Sequence, residues 1–168
     1  MSKGKLEIGF FNYAHSYCIS GRALQKSRVE ATHPDAVIRY LYYHAIELYL
    51  KAFLLSQGLN EENLRKKEFG HKIEKLAKEA KNNGLNLSDT DQEIFEKIGN
   101  TDNIISSRYI RLGAHELIAI EALYGICFHL HGEILEFAYS SVSGKRRPIL
   151  ETPNFEELKR LDISRNVL

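Results

Sequence analysis

The stretch PDAVIRYLYYHAIELYLKAFLLSQ, residues 34–57, decides the fold. Pro34 stands where a helix accepts proline, at its first position, because the N–H there has no intrahelical partner in any case. Gly58 follows where a left-handed C-terminal residue belongs. Ile38, Leu41, Ala45, Leu48, Ala52 and Leu55 alternate at spacings of three and four residues, the seam of a packed helix. At about 100° per residue, Tyr40, His44, Glu47 and Lys51 fall in one polar stripe roughly 60° wide. The rest of the cylinder carries Tyr42, Tyr43, Ile46, Tyr49, Leu50, Phe53 and Leu54. A helix apolar over most of its circumference needs cover on more than one side. It therefore lies centrally in its own bundle, or is shared between its bundle and a second subunit.

Around this segment the composition is that of one soluble domain. The 168 residues can bury a real core, and 43% hydrophobic with 27% charged residues is ordinary for a globular protein. A formal net charge of +1 excludes a nucleic-acid binder driven by bulk positive charge, while leaving room for a local patch. Cys18 and Cys127 sit in apolar helical patterns without metal-type spacing, and read as buried thiols in a reducing compartment. MSKGKLEIGFF lacks the apolar core of a signal peptide, and no apolar run reaches the roughly 18 residues of a membrane span. A cytoplasmic protein with no membrane segment is expected.

In chain order, residues 6–28 read as a first helix, weakened and open to a bend at Gly21. The helix of residues 34–57 follows. NEENLRKKEFG is a surface loop with room for one helical turn, and residues 71–83 form a third helix stopped by Asn83-Gly84. Ser88 opens S-D-T-D, a capping signal for a fourth helix over residues 89–106, with Gly99-Asn100 a possible break. After SSRYIRLG a last helix runs over residues 114–139, repeating the 3-4 spacing with Leu117, Ile120, Tyr124, Cys127, His131, Ile134 and Ala138. The expectation is an all-α antiparallel bundle of four to five helices over residues 1–140. A tail, residues 141–168, follows, with SGKRRP as a basic turn and NFEELKRL as a short helix.

YHAIELYLKAFLL (43–55), GHKIEKL (70–76) and SRY (107–109) ahead of a long helix resemble, in that order, the HEPN domain, the "higher eukaryotes and prokaryotes nucleotide-binding" superfamily. The likeness spans about residues 8–140. It implies a helical bundle, often a homodimer, associated with nucleotidyltransferases, toxin–antitoxin pairs, phage defence or RNA processing. Many members are metal-independent endoribonucleases carrying an arginine followed four to six residues later by a histidine. Others lack that pair and act as binding or accessory modules. Here six residues separate Arg108 from His115, and Tyr109 follows the arginine as in the Arg-Tyr-Pro run of the non-catalytic branch. On one helix Arg108 and His115 share a face but lie about 10.5 Å apart along the axis, long for a single phosphate. Arg111 and His115, four apart, would meet directly, although Gly113 between them favours a break.

The resemblance thus implies a nucleotide- or RNA-associated binding or accessory protein, homodimeric, with a nucleotidyltransferase-like partner. Tyr40, His44, Glu47, Lys51, Arg108 and Tyr109 would line its ligand groove. One alternative is a ribonuclease in which Arg108, or Arg111, holds the phosphate and His115 moves the proton. Another is a protein-interaction module with no nucleic-acid ligand. Plainer readings stand beside these. Glu47 and Lys51 form an i,i+4 pair on a solvated strip with His44 half-buried. His71 caps or packs, Arg108 pairs with an acid such as Asp102, and Lys145-Arg146-Arg147 is a solvated tail. No cofactor or metal is expected. Di-iron chemistry needs two Glu-x-x-His motifs on bundle helices with two further glutamates, and Glu30 to His33 lies beside Pro34 in a turn. His129 and His131 point about 200° apart on a helix and cannot share a metal.

Overall fold

The computed structural model describes residues 5–27, 30–65, 69–101, 115–116, 118–142, 144, 146–153 and 165–166. The helices are α1 (Lys5–Ser27), α2 (Pro34–Ser56), α3 (Glu61–Arg65), α4 (Ile73–Asn82), α5 (Asp89–Thr101) and α6 (Ile120–Tyr139). Pro34 is the first residue of α2, and Gly58 closes it at φ 97°. Leu59 N–H donates to Leu54 O and Gly58 N–H to Leu55 O, so two carbonyls that the helix would leave unpaired are satisfied. The same device ends α4: Gly84 at φ 92°, with Leu85 N–H on Ala80 O and Gly84 N–H on Lys81 O. The start of α5 is a reciprocal cap. Ser88 Oγ accepts from Asp91 N–H at 3.1 Å, and Ser88 N–H donates to Asp91 Oδ2 at 2.8 Å.

Ring contacts fix the helix directions. Tyr17 meets His44 and Phe11 meets Tyr49, so α1 and α2 are antiparallel. Tyr42 meets Tyr124, Tyr49 meets His131 and Phe53 meets Phe137, so α2 and α6 run the same way. Both pack on α1. α4 adds a further side to α2, and α5 lies on α4. From Tyr42 to Leu55 only His44 and Leu48 are more than marginally exposed, and Tyr42, Tyr43, Ile46, Tyr49, Leu50, Phe53 and Leu54 are wholly buried. Of the two ways to cover this helix, the first holds: its own chain does it. The need for shelter gives no argument for a second subunit.

Three local expectations change. Gly21 does not break α1, which is continuous. Its missing side chain instead lets the helix close on α2, since a Cβ there would lie 3.0 Å from Tyr42 Cε1. Helix α5 runs through Gly99 and Asn100 to Thr101. The last helix begins at Ile120, not at residue 114, because Ala119 has extended backbone (φ −56°, ψ 140°) and His115–Glu116 pairs antiparallel with Arg165–Asn166. After α6 the chain returns over the bundle: Leu150 and Pro153 are buried, Lys26 Nζ meets Glu151 at 2.6 Å, and Tyr124 Oη donates to Glu151 O. Residues 154–161, read as a short helix, lie outside the described residues. Among the described residues no helix is long and apolar enough to cross a membrane.

Candidate functional site

The polar stripe of α2 meets the start of α4. Glu47, one turn after His44 and one before Lys51, is 1% exposed. Lys51 Nζ donates to its Oε1 at 2.6 Å, and His71 Nδ1 sits 3.1 and 3.0 Å from its two oxygens. His44 Nδ1 stands 3.7 Å from Oε2, outside hydrogen-bond range but near enough to favour the charged carboxylate. Burial alone would push the Glu47 carboxyl up. His44, Lys51 and His71 together outweigh it and hold the group down at about 2. Lys51 is itself buried, 8% exposed. The pair is therefore a desolvated ion pair, with His71 adding a second contact to the carboxylate. It is not the solvated strip that spacing suggests.

At the outer end of the stripe the character changes. His44 is half-buried, with its ring parallel to Tyr40 at 6.0 Å and edge-on to Tyr17 of α1 at 4.4 Å. Its Nδ1 is buried with no hydrogen-bond partner among the described residues. Tyr17, His44 and Tyr40 so form a half-buried aromatic surface beside a closed charge pair, with His71, 43% exposed at its side chain, on the α4 side of Glu47. Such rings can take a flat heteroaromatic group by stacking. A carboxylate on Nδ1 favours the His71 tautomer that carries its proton there.

Of the residues picked from sequence, Tyr40, His44, Glu47 and Lys51 come together, and the last two are occupied with each other. Arg108, Tyr109 and Arg111 lie outside the described residues. His115 lies on extended backbone rather than on the last helix. Reasoning from the sequence missed His71 as a partner of Glu47, for the contact joins residues 24 apart and no periodicity announces it. It also missed Tyr17. His129 and His131 do point apart: His129 Nδ1 pairs with Asp91 at 2.9 Å, while His131 packs among Phe11, His15 and Tyr49. Cys18 and Cys127 are buried free thiols. Among the described residues no cluster of three or more His, Cys, Asp or Glu side chains could hold a metal ion. Compared with family models, curated proteins and solved structures, the chain gives no match.

Proposed function

We propose that this chain is a HEPN-like binding or accessory module for nucleotides or RNA, with its ligand surface at the Tyr17, Tyr40, His44 and His71 end of the α2 stripe. The observation that supports this is the aromatic surface around His44: three partly buried rings from two helices. Base stacking on such a surface is worth about 1–3 kcal/mol per base and tolerates any base. Glu47 and Lys51 contribute indirectly. They hold His71 and brace His44 and do not touch ligand. In the cell the module works as a homodimer beside a nucleotidyltransferase-like protein, in a toxin–antitoxin or phage-defence setting.

The reading is tested with pure protein and labelled single-stranded RNA or nucleotides at low salt, in EDTA. Binding that weakens about tenfold in Tyr40→Ala and His44→Ala is expected. No binding of either ligand sinks the reading and leaves a protein-interaction module. Cleavage that persists in EDTA and disappears in His115→Ala replaces it with a ribonuclease. Sedimentation at micromolar concentration checks the dimer, and a monomer removes it.

A further inference from the structure

A second polar region lies where the C-terminal end of α6 meets α1. A cleft of about 460 Å³ is lined by Asn12, His15, Tyr139, Arg146, Arg147, Pro148 and Ile149. Every charged group on that lining is a cation. Tyr139 Oη donates to Asn12 Oδ1 at 2.8 Å, which leaves the amide N–H₂ of Asn12 as the group it has to offer. Arg147 spends one N–H on the exposed Glu136; a guanidinium carries five, so most remain. Arg146 has no acidic partner among the described residues and is exposed. The wall thus offers two guanidinium forks and an amide, all donors, with Ile149, 82% exposed, as an apolar lip.

What lies behind that wall is a second, independent observation. His15 Nδ1, His131 Nε2 and Tyr49 Oη are all buried without a hydrogen-bond partner among the described residues. The two imidazoles are 5.4 Å apart and Tyr49 is 5.9 Å from His131. Unsatisfied buried polar atoms are rare and costly, and each asks for an explanation. Of the three, His15 lies on the cleft lining itself, and no lining residue carries a negative charge. At Glu47, by contrast, the buried carboxylate is paired with Lys51 and His71.

We propose that the cleft binds the phosphate group of a small phosphorylated molecule, with the guanidinium groups of Arg146 and Arg147 and the Asn12 amide on the phosphate oxygens. Planar guanidinium forks match phosphate geometry through paired N–H donors, and a dianion answers two cations better than a carboxylate does. The volume suits a mononucleotide-sized ligand. The site stands apart from the His44 surface and does not depend on it.

The test is calorimetric titration of the full chain with inorganic phosphate, AMP and adenosine at low salt. Phosphate and AMP should bind, and adenosine should fail to compete. Arg146→Gln should weaken AMP about tenfold or more. Glu136→Gln, which releases Arg147, should tighten it a few-fold. Both residues are exposed, so unchanged melting curves will confirm folding. A 5′-phosphorylated oligoribonucleotide separates sources: tighter binding than AMP assigns the site to RNA ends, equal or weaker binding to free nucleotides. No binding of phosphate or AMP at millimolar concentration overturns the proposal, as does AMP affinity indifferent to Arg146→Gln. AMP affinity lost in His44→Ala yet untouched in Arg146→Gln also overturns it, while supporting the aromatic surface as the ligand site.

Discussion

The Glu47 network and the Asn12–Arg147 cleft both put polar groups against the core, and they do so in opposite ways. Around Glu47 a buried carboxylate is matched by a buried ammonium, with His71 on its oxygens and His44 at 3.7 Å. Around the cleft the cations stand at the surface, and burial disfavours charge on the imidazoles of His15 and His131 behind them. Burial holds His131 down to about 4, with His15 beside it adding to the effect and the Pro148 backbone partly offsetting it. A matched network is a means of fixing helix register, whereas an unmatched set of donors is a means of receiving something. The difference separates what polar groups do for the fold from what they can do for a ligand.

Breaking the matched side should have the largest effect. Glu47→Ala strands Lys51 in the core and should cost about 3–5 kcal/mol in urea unfolding. The Glu47→Leu, Lys51→Met pair should recover most of that, because neither charge is then left alone. If the single variant costs less than about 1 kcal/mol, the network is not structural and the comparison collapses.

Acid should sharpen the contrast. His131 is depressed from an ordinary 6.5 to about 4, so between those values the unfolded chain takes a proton that the native chain refuses. Its stability contribution is present above pH 6.5 and lost as pH falls toward 4. Glu47, depressed from 4.5 to about 2, stays ionised in the folded chain over that whole range and gives way only at lower pH. His131→Phe should therefore flatten the stability profile between pH 6.5 and 4 while leaving the decline below pH 4.5 in place. A profile unchanged by that substitution contradicts the assignment.

Smaller effects follow. His71→Ala removes one charge-assisted hydrogen bond from a half-exposed side chain and should cost about 1 kcal/mol. Arg146→Gln, at the surface, should move stability by less than about 0.5 kcal/mol, so any loss of phosphate binding in it is a loss of contact and not of fold.

The helices were legible because their signals are local. Pro34 and Gly58, Asn83-Gly84 and the Ser88–Asp91 pair act within one turn of the residues they terminate or start. The Tyr40-to-Lys51 stripe was legible for the same reason, as a matter of 3.6-residue geometry. Whether it was wet or dry was not, because dryness depends on His71 and α4 arriving from elsewhere in the chain. The cleft was invisible for a stronger form of that reason. Asn12 and Tyr139 are 127 residues apart, and Arg146 and Arg147 belong to a basic turn that reads as a tail until Leu150 and Pro153 pin it down. Gly21 shows the same limit: its helix propensity argues for weakness, while its actual effect is set by a tyrosine on another helix.

That α2 and α6 point the same way has a consequence for how the chain assembles. Parallel neighbours cannot be joined by a hairpin, so everything from Gly58 to Ala119 acts as a crossover that must be laid down before the pair can close. During synthesis the α1–α2 hairpin is complete while the tyrosines of α2 still lack one wall. Loop-closure entropy over that span grows only slowly with length, but it must be met before Tyr124 and His131 return any contact energy. Early formation of the hairpin and late docking of α6 are the expected order. φ-values near those of the native state at Phe11 and Ile46 and close to zero at Tyr124 and Ile134 would display it, and the reverse ranking would refute it.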